Sequence, residues 1–359
     1  MSEQPKIPPR RDRVGLNDWL RLTRAVPSAF DVRKLVLAAV GIVVAQLGWS
    51  AIESIAPPSR PGPPPRVLEF HSLYGSPFRS VTDFAEAIRR PAWNLTAPAR
   101  ALIGPLTEVF AVDGRRDRAP TAFLRLLWAI VVFGVTGTAV ARLAVVEAAT
   151  GARPTTWDAV KAGLRGSPSA IAATLLPLAI ALALALGSAA FGLAARLFPQ
   201  LLPTVAVPLV VVPLVLGLAS AVLLVAMVAA WPLVPVALAM ESERAVEVVS
   251  RTFGYVRRRP MALAAGVLLS WAVGTLGLAA FEVFLSASIH LTVWGIGLAA
   301  YPMLPGESGG LVEGPALAML GLACPAWVFA FFWCAAARVY LLLRQDVDDV
   351  PASELAASR

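Results

Sequence analysis

Charge is scarce in this chain: 15% of its 359 residues are Asp, Glu, Lys or Arg, against about 25% in soluble domains. That deficit excludes an ordinary water-soluble fold. Histidine and cysteine are scarcer still, with two of each. His71, His290, Cys324 and Cys334 are spread too widely to predict a metal cluster, and no cofactor is expected. The two cysteines share one apolar run. On a helix their separation corresponds to ~15 Å of rise, too far for a disulfide, so both read as small buried packing residues. No Walker motif, nucleotide fingerprint or Ser/Cys–His set is present. No basic patch is interleaved with exposed aromatics on a soluble domain, which argues against nucleic acid as a partner. A secretory signal with an A-x-A cleavage site is also missing. The first apolar run begins at Leu35 and reads as an uncleaved anchor.

What the chain has is oil. Its residues are 57% hydrophobic with a mean hydropathy of +0.70. Leu197–Met240 runs for 44 residues without a charge, where about 20 already cross a bilayer. Helices are the practical spanning element for such runs. The prediction is all-α: a polytopic transmembrane helical bundle of about six spans with interfacial amphipathic helices. The spans are placed at 35–55, 124–148, 169–195, 214–240, 261–294 and 315–343. Pro199, Pro203, Pro208 and Pro213 crowd together, so an irregular outer connector is expected before the fourth span. Glu282 interrupts an apolar stretch without Gly, Pro or Asn beside it, so the fifth helix is continued through it.

The segments between spans divide the chain further. Residues 1–34 read as a basic cytoplasmic segment, in which Trp19, Leu20, Leu22 and Val26 suit a short surface helix. Residues 56–121 form an extracytoplasmic arm. It opens on the stiff Pro57–Pro65 run and continues with helical spacing at Val81, Phe84, Ala85 and Ile88, then at Leu102, Ile103, Leu106, Val109 and Phe110. These arm helices are expected to lie on the bilayer rather than fold as a domain. Thr155-Thr156-Trp157-Asp158 signals a helix start. Residues 122–343 make a five-span bundle. Within it, Ala159–Arg165 and Ala245–Arg251 align as amphipathic connectors, giving an internal repeat of span, connector, span. Residues 344–359 read as an acidic, mobile tail.

Arg153, Lys161 and Arg165 fall in one short loop and five arginines in 241–260, while 295–314 has no basic residue. Positive-inside places these two loops and both termini in the cytoplasm. The outer arm carries nine arginines; long loops weigh less in this rule.

Trp231-Pro232-Leu233-Val234-Pro235, the connector Val249-Ser250-Arg251-Thr252-Phe253-Gly254-Tyr255-Val256 with Arg259-Pro260, and Phe331-Phe332-Trp333 with Val339–Asp348 resemble an uncharacterised bacterial family of six-span membrane proteins. Pro91–Thr96 and Arg100-Ala101-Leu102 resemble that family's outer amphipathic segment. More distantly, the arrangement is similar to the membrane domain attached to glycerophosphodiesterases and to Yip-like proteins. The resemblance implies a bacterial inner-membrane protein and implies no activity. The phosphodiesterase catalytic barrel is absent, and Arg338 departs from the family pattern.

Ionisable residues inside spans are the natural functional candidates. Glu282 and His290 sit two helical turns apart, as a proton or cation site or as two groups touching water at an outer helix end. Arg338 either pairs with Glu282 or snorkels to headgroups beside Arg344. The Pro232/Pro235 break either exposes carbonyls to a substrate or is a packing kink. Arg33, Lys34, Arg257, Arg258 and Arg259 suit anionic lipid headgroups and topology control. Arg142 and Glu147 sit close enough to the interface to need no special role. Gly134, Gly137 and Ala141 permit close helix contact. Asn94-Leu95-Thr96 has glycosylation spacing, which has little meaning in a bacterial chain. The expected role is a non-catalytic scaffold or subunit of a membrane complex, with lipids and other membrane subunits as partners. The alternative is transport or lipid handling at the repeat interface.

Overall fold

A computed structural model describes residues 19–55, 84–111, 118–198, 202–241, 244–300 and 308–348. The Pro57–Pro65 run, His71, Val81, Pro199 and the tail from Asp349 lie outside them. Among the described residues the chain is helical and without strands. A 3-10 turn at Arg21–Arg24 leads into α1 (Ala25–Ala29). There follow α2 (Val32–Ile55), α3 (Phe84–Asn94), α4 (Ala97–Val109), α5 (Ala119–Thr150) and α6 (Thr156–Leu197). The chain continues through α7 (Leu202–Ala230), α8 (Leu233–Glu241), α9 (Ala245–Arg258), α10 (Pro260–Ala300) and α11 (Ser308–Asp348). Six of these, α2, α5, α6, α7, α10 and α11, hold stretches long and apolar enough to cross a membrane.

The centre of the bundle is α5 against α11. In their apolar windows 72% and 78% of residues are buried, against 11% in α7, which lies at the edge. Small residues on α5 admit large ones on α11. The Phe133 ring lies tilted against that of Phe329, with ring centres 5.1 Å apart, and Trp333 lies where a side chain at Gly137 would be. Trp231 closes this layer, 5.5 Å from Trp333. Between α2 and α5 the indoles do the fastening: Trp49 Nε1 donates to the Arg125 carbonyl at 3.0 Å and Trp128 Nε1 to the Val44 carbonyl at 3.1 Å.

Several sequence expectations are corrected. The fourth span does not wait for an irregular connector to end. α7 starts at Leu202 and carries Pro203, Pro208 and Pro213 within its helix. Pro203 sits in the first turn, where no intrahelical N–H is needed. Lipid offers no partner for a loop's backbone, so a helix interrupted by proline remains preferable to an irregular segment. The break expected at Pro232 and Pro235 falls at Trp231-Pro232, and α8 restarts at Leu233.

The two connectors are built differently. Thr155 caps α6 by accepting from the Asp158 backbone N–H at 3.1 Å. From there α6 runs unbroken through Pro168 and Pro177 into its span. α9, by contrast, ends at Arg258, and Arg259 caps it before Pro260 opens a new helix, because a residue before proline is pushed out of helical geometry. The helix carrying Glu282 continues without a break, as expected.

The N-terminal segment is not a surface helix. Leu22, Ala25 and Ala29 are buried. The segment is wedged between α10 and α11: Trp19 and Val339 flank Gly266, Val26 and Trp327 flank Gly277, and the Phe30 ring lies 5.1 Å from that of Phe281. The arm helices likewise turn their apolar faces to protein. Ala101, Leu102 and Leu106 are buried, with α4 on α5 and α3 on α10. The tail is fixed as far as Asp348: Asp346 accepts from Arg259 at 3.0 Å, and Tyr255 donates to Asp348 at 2.5 Å.

Candidate functional site

Among the described residues, three polar arrangements stand out against this apolar bundle. The first gathers at the start of α2. Lys34 is fully buried and its ammonium bonds Glu147 of α5. It also donates to the Ser28 hydroxyl at 2.6 Å and the Ser28 carbonyl at 3.1 Å. The Ser28 hydroxyl donates to Glu147 at 3.2 Å and accepts from the Cys334 thiol at 3.7 Å. Four elements therefore meet on one lysine. Lys34 does not face lipid headgroups, as the sequence suggested. A buried ammonium needs a counter-charge, and Glu147, for which no role was expected, supplies it. Arg33 turns away, donating to Asp31 at 2.6 Å and to the Pro154 carbonyl at 2.8 Å. Its hydrogen bond holds the Asp31 carboxyl below the ordinary value of 3.8, against the opposing effect of burial.

The second arrangement joins the arm to the bundle. Glu282 of α10 is buried and accepts from Asn94 Nδ2 of α3 at 3.2 Å. Arg90 Nε lies 3.9 Å from Glu282 Oε2, too long for a hydrogen bond; both atoms are buried without one. Trp271 Nε1 donates to the Ala92 carbonyl at 3.0 Å. Nearby, Arg125 bonds Glu108 of α4 at 2.6 Å and lies 3.9 Å from Glu53 of α2. Arg90, Asn94, Arg125 and Glu108 were missed by sequence reasoning. The available signal was Arg90 and Asn94 at i and i+4, a spacing that places two polar groups on one helical face. Asn94 is fully buried, so its tripeptide cannot serve as a glycosylation acceptor in this fold.

The third lies where α9, α10 and α11 meet. A cavity of about 390 Å³ opens there, with Trp19, Ala262, Val339 and Leu342 on its apolar side and the Arg259–Asp346 ion pair on its polar side. Arg257 and Arg258 are exposed beside it. Burial and the bond to Asp348 push the Tyr255 phenol well above its usual value.

The remaining candidates separate. His290 is exposed and two turns beyond Glu282, so α10 does not bring them together. Arg338 does not reach Glu282; it donates to the Arg21 carbonyl at 3.2 Å. Pro232 and Pro235 lie beside an aromatic packing layer, where Trp231 meets Phe332 and Trp333. Arg142 donates to the Ala239 carbonyl at 2.5 Å, closing the helix end just after that break. Cys324 and Cys334 are free and buried. Among the described residues no three His, Cys, Asp or Glu side chains converge as a metal set. No family model, curated protein or solved structure matches the chain. Fold and hydropathy define a multi-pass helical membrane protein.

Proposed function

We propose that this chain is a non-catalytic scaffold or subunit of a membrane complex, placed in a bacterial inner membrane with both termini in the cytoplasm. One observation carries the reading: its buried charges are used to fasten segments of the chain to one another. Lys34–Glu147 fixes the N-terminal wedge, Arg125–Glu108 fixes α4, and Glu282–Asn94 fixes α3. A bundle braced in this way holds its outer arm and its inner connectors in a constant relation, which is what a docking platform requires. The long edge helix α7 offers Val215, Leu218, Val222 and Val225 outward; in the membrane these meet lipid or a neighbouring span. Photocrosslinkers at Val215 and Val222, used in cells and followed by gentle extraction, test this. A crosslinked species heavier than the 37.8 kDa chain, containing a second membrane protein, is expected. A lone monomer at both positions counts against the scaffold. Cysteines placed at Gly151 and Arg258 should react from the same side of the membrane.

Transport or lipid handling at the interface between the repeated halves is the second reading. It draws on Glu282 Oε2, a buried carboxylate oxygen without a hydrogen bond. Intramembrane carboxylates of that kind mark ion and proton paths in other proteins. An unchanged lipid and metabolite profile in cells carrying Glu282→Gln would remove its support.

A further inference from the structure

We propose that the cavity between the foot of α10 and the end of α11 binds one glycerophospholipid bearing a primary ammonium. In this arrangement Arg259 takes the phosphate, Asp346 takes the ammonium, and the first part of an acyl chain lies against Trp19, Val339 and Leu342. The inference goes beyond the scaffold reading and does not depend on it.

Position comes first. The cavity lies at the foot of two candidate spans, Pro260–Thr292 and Gly321–Asp348, where apolar sequence gives way to Arg257, Arg258 and Arg259. A lipid's phosphate and glycerol occupy that same depth. Size comes second. About 390 Å³ lies within the range of roughly 300–1,000 Å³ that small-ligand pockets occupy. That volume suits a headgroup with a short length of chain, leaving the remaining acyl carbons in the bilayer.

Chemistry decides the class. One wall is indole and aliphatic; the other is a single cation and a single anion 3.0 Å apart. Gly266 leaves room for Trp19 to lie against Val339, which shapes the apolar wall. Arg259 is 53% exposed at its side chain and Asp346 21%, so the guanidinium can turn toward an incoming phosphate while the carboxylate stays in place. Arginine suits phosphate because its planar fork makes paired hydrogen bonds. Drawing Arg259 onto a phosphate leaves Asp346 without its counter-ion. A purely anionic lipid does not repair that loss, and a choline headgroup has no N–H to donate. A primary ammonium does both, so the pair is exchanged for two matched contacts. The exposed Arg257 and Arg258 add a positive field that draws phosphate to the mouth.

The test uses the full chain reconstituted in phosphatidylcholine vesicles containing a photoactivatable phosphatidylethanolamine, with the photoactivatable phosphatidylglycerol as the second arm. Each probe carries its reactive group near the carbonyl end of one acyl chain, and crosslinked peptides are mapped. The ethanolamine lipid should label the segment around Val339–Leu343 more strongly than the glycerol lipid. Ala262→Phe, which fills the apolar side, should abolish that labelling while labelling of α7 persists. Asp346→Asn, which removes the anion without changing shape, should invert the preference toward phosphatidylglycerol. Equal labelling by both lipids in the natural protein would overturn the proposal, as would labelling that survives Ala262→Phe. So would an Asp346→Asn protein whose preference is unchanged.

Discussion

Lys34 and Glu147 are joined across 113 residues of sequence, and the lysine side chain has no exposed surface. Two helices and the N-terminal wedge converge on this pair through Ser28. Removing one partner strands a charge. Loss of one member of a buried ion pair costs about 3–5 kcal/mol, whereas replacing both with apolar groups is often near neutral. Glu147 is 27% exposed, so the lower end applies. Glu147→Gln should therefore lower the thermal midpoint in detergent more than the double replacement Lys34→Met with Glu147→Met. The reverse order would show that the pair is not what holds α2 to α5.

Glycines on α5, against it and on the edge helix α7 give a graded series. A Cβ at Gly163 would lie 2.5 Å from the Val135 carbonyl oxygen, a backbone atom with nowhere to go. At Gly137 it would lie 2.5 Å from the edge of the Trp333 ring. At Gly134 the nearest atom is Ala170 Cβ at 3.5 Å, and at Gly217 nothing is near. Overpacking costs about 1–3 kcal/mol. Alanine at 163 and 137 should destabilise by that order, and alanine at 134 and 217 should change little in the same melting experiment.

Asp31 gives a pH dependence. Its folded carboxyl titrates below 3.8, so its stabilising contribution is complete above that value. The contribution disappears as pH falls below 3.8 through the lowered value. Asp31→Asn should therefore cost stability at neutral pH, and the gap to the natural protein should close under strongly acid conditions. A gap that stays constant with pH would remove Arg33–Asp31 from the account.

The arm can be followed by one introduced thiol. Ala92 is buried under Trp271, so Ala92→Cys should react slowly with a maleimide while Cys324 and Cys334 stay silent. Adding Asn94→Leu removes the donor to Glu282 and leaves a buried carboxylate with one fewer partner, a loss of about 1–3 kcal/mol. Labelling at position 92 should then accelerate. Unchanged kinetics would show that α3 is held by apolar contact alone.

The six spans were legible because lipid imposes its demand on each helix separately, and hydropathy reads that demand one segment at a time. The unbroken helix through Glu282 was legible for the same reason. The wedge and the arm were not. Leu22, Ala25, Val26 and Ala29 announce an apolar face, and periodicity is silent on whether lipid or protein will cover it. The site was half legible. Glu282 stood out as an intramembrane carboxylate, but its donor comes from 188 residues away. Lys34 looked like one more interfacial cation until a carboxylate from another helix closed over it. α7 misled for a different reason: Pro203, Pro208 and Pro213 near its start signal a break in water, while hydrocarbon favours the helix regardless.

The wedge at Trp19–Phe30 is synthesised before α10 and α11, the two helices that form its seat. Until α10 and α11 are inserted, Leu22, Ala25 and Phe30 have no groove to enter and must wait at the bilayer surface. Seating the wedge is therefore a late step that joins segments far apart in the sequence. A chain interrupted before α11 would carry the wedge without its seat, and that exposed stretch would be the natural handle for quality-control proteolysis.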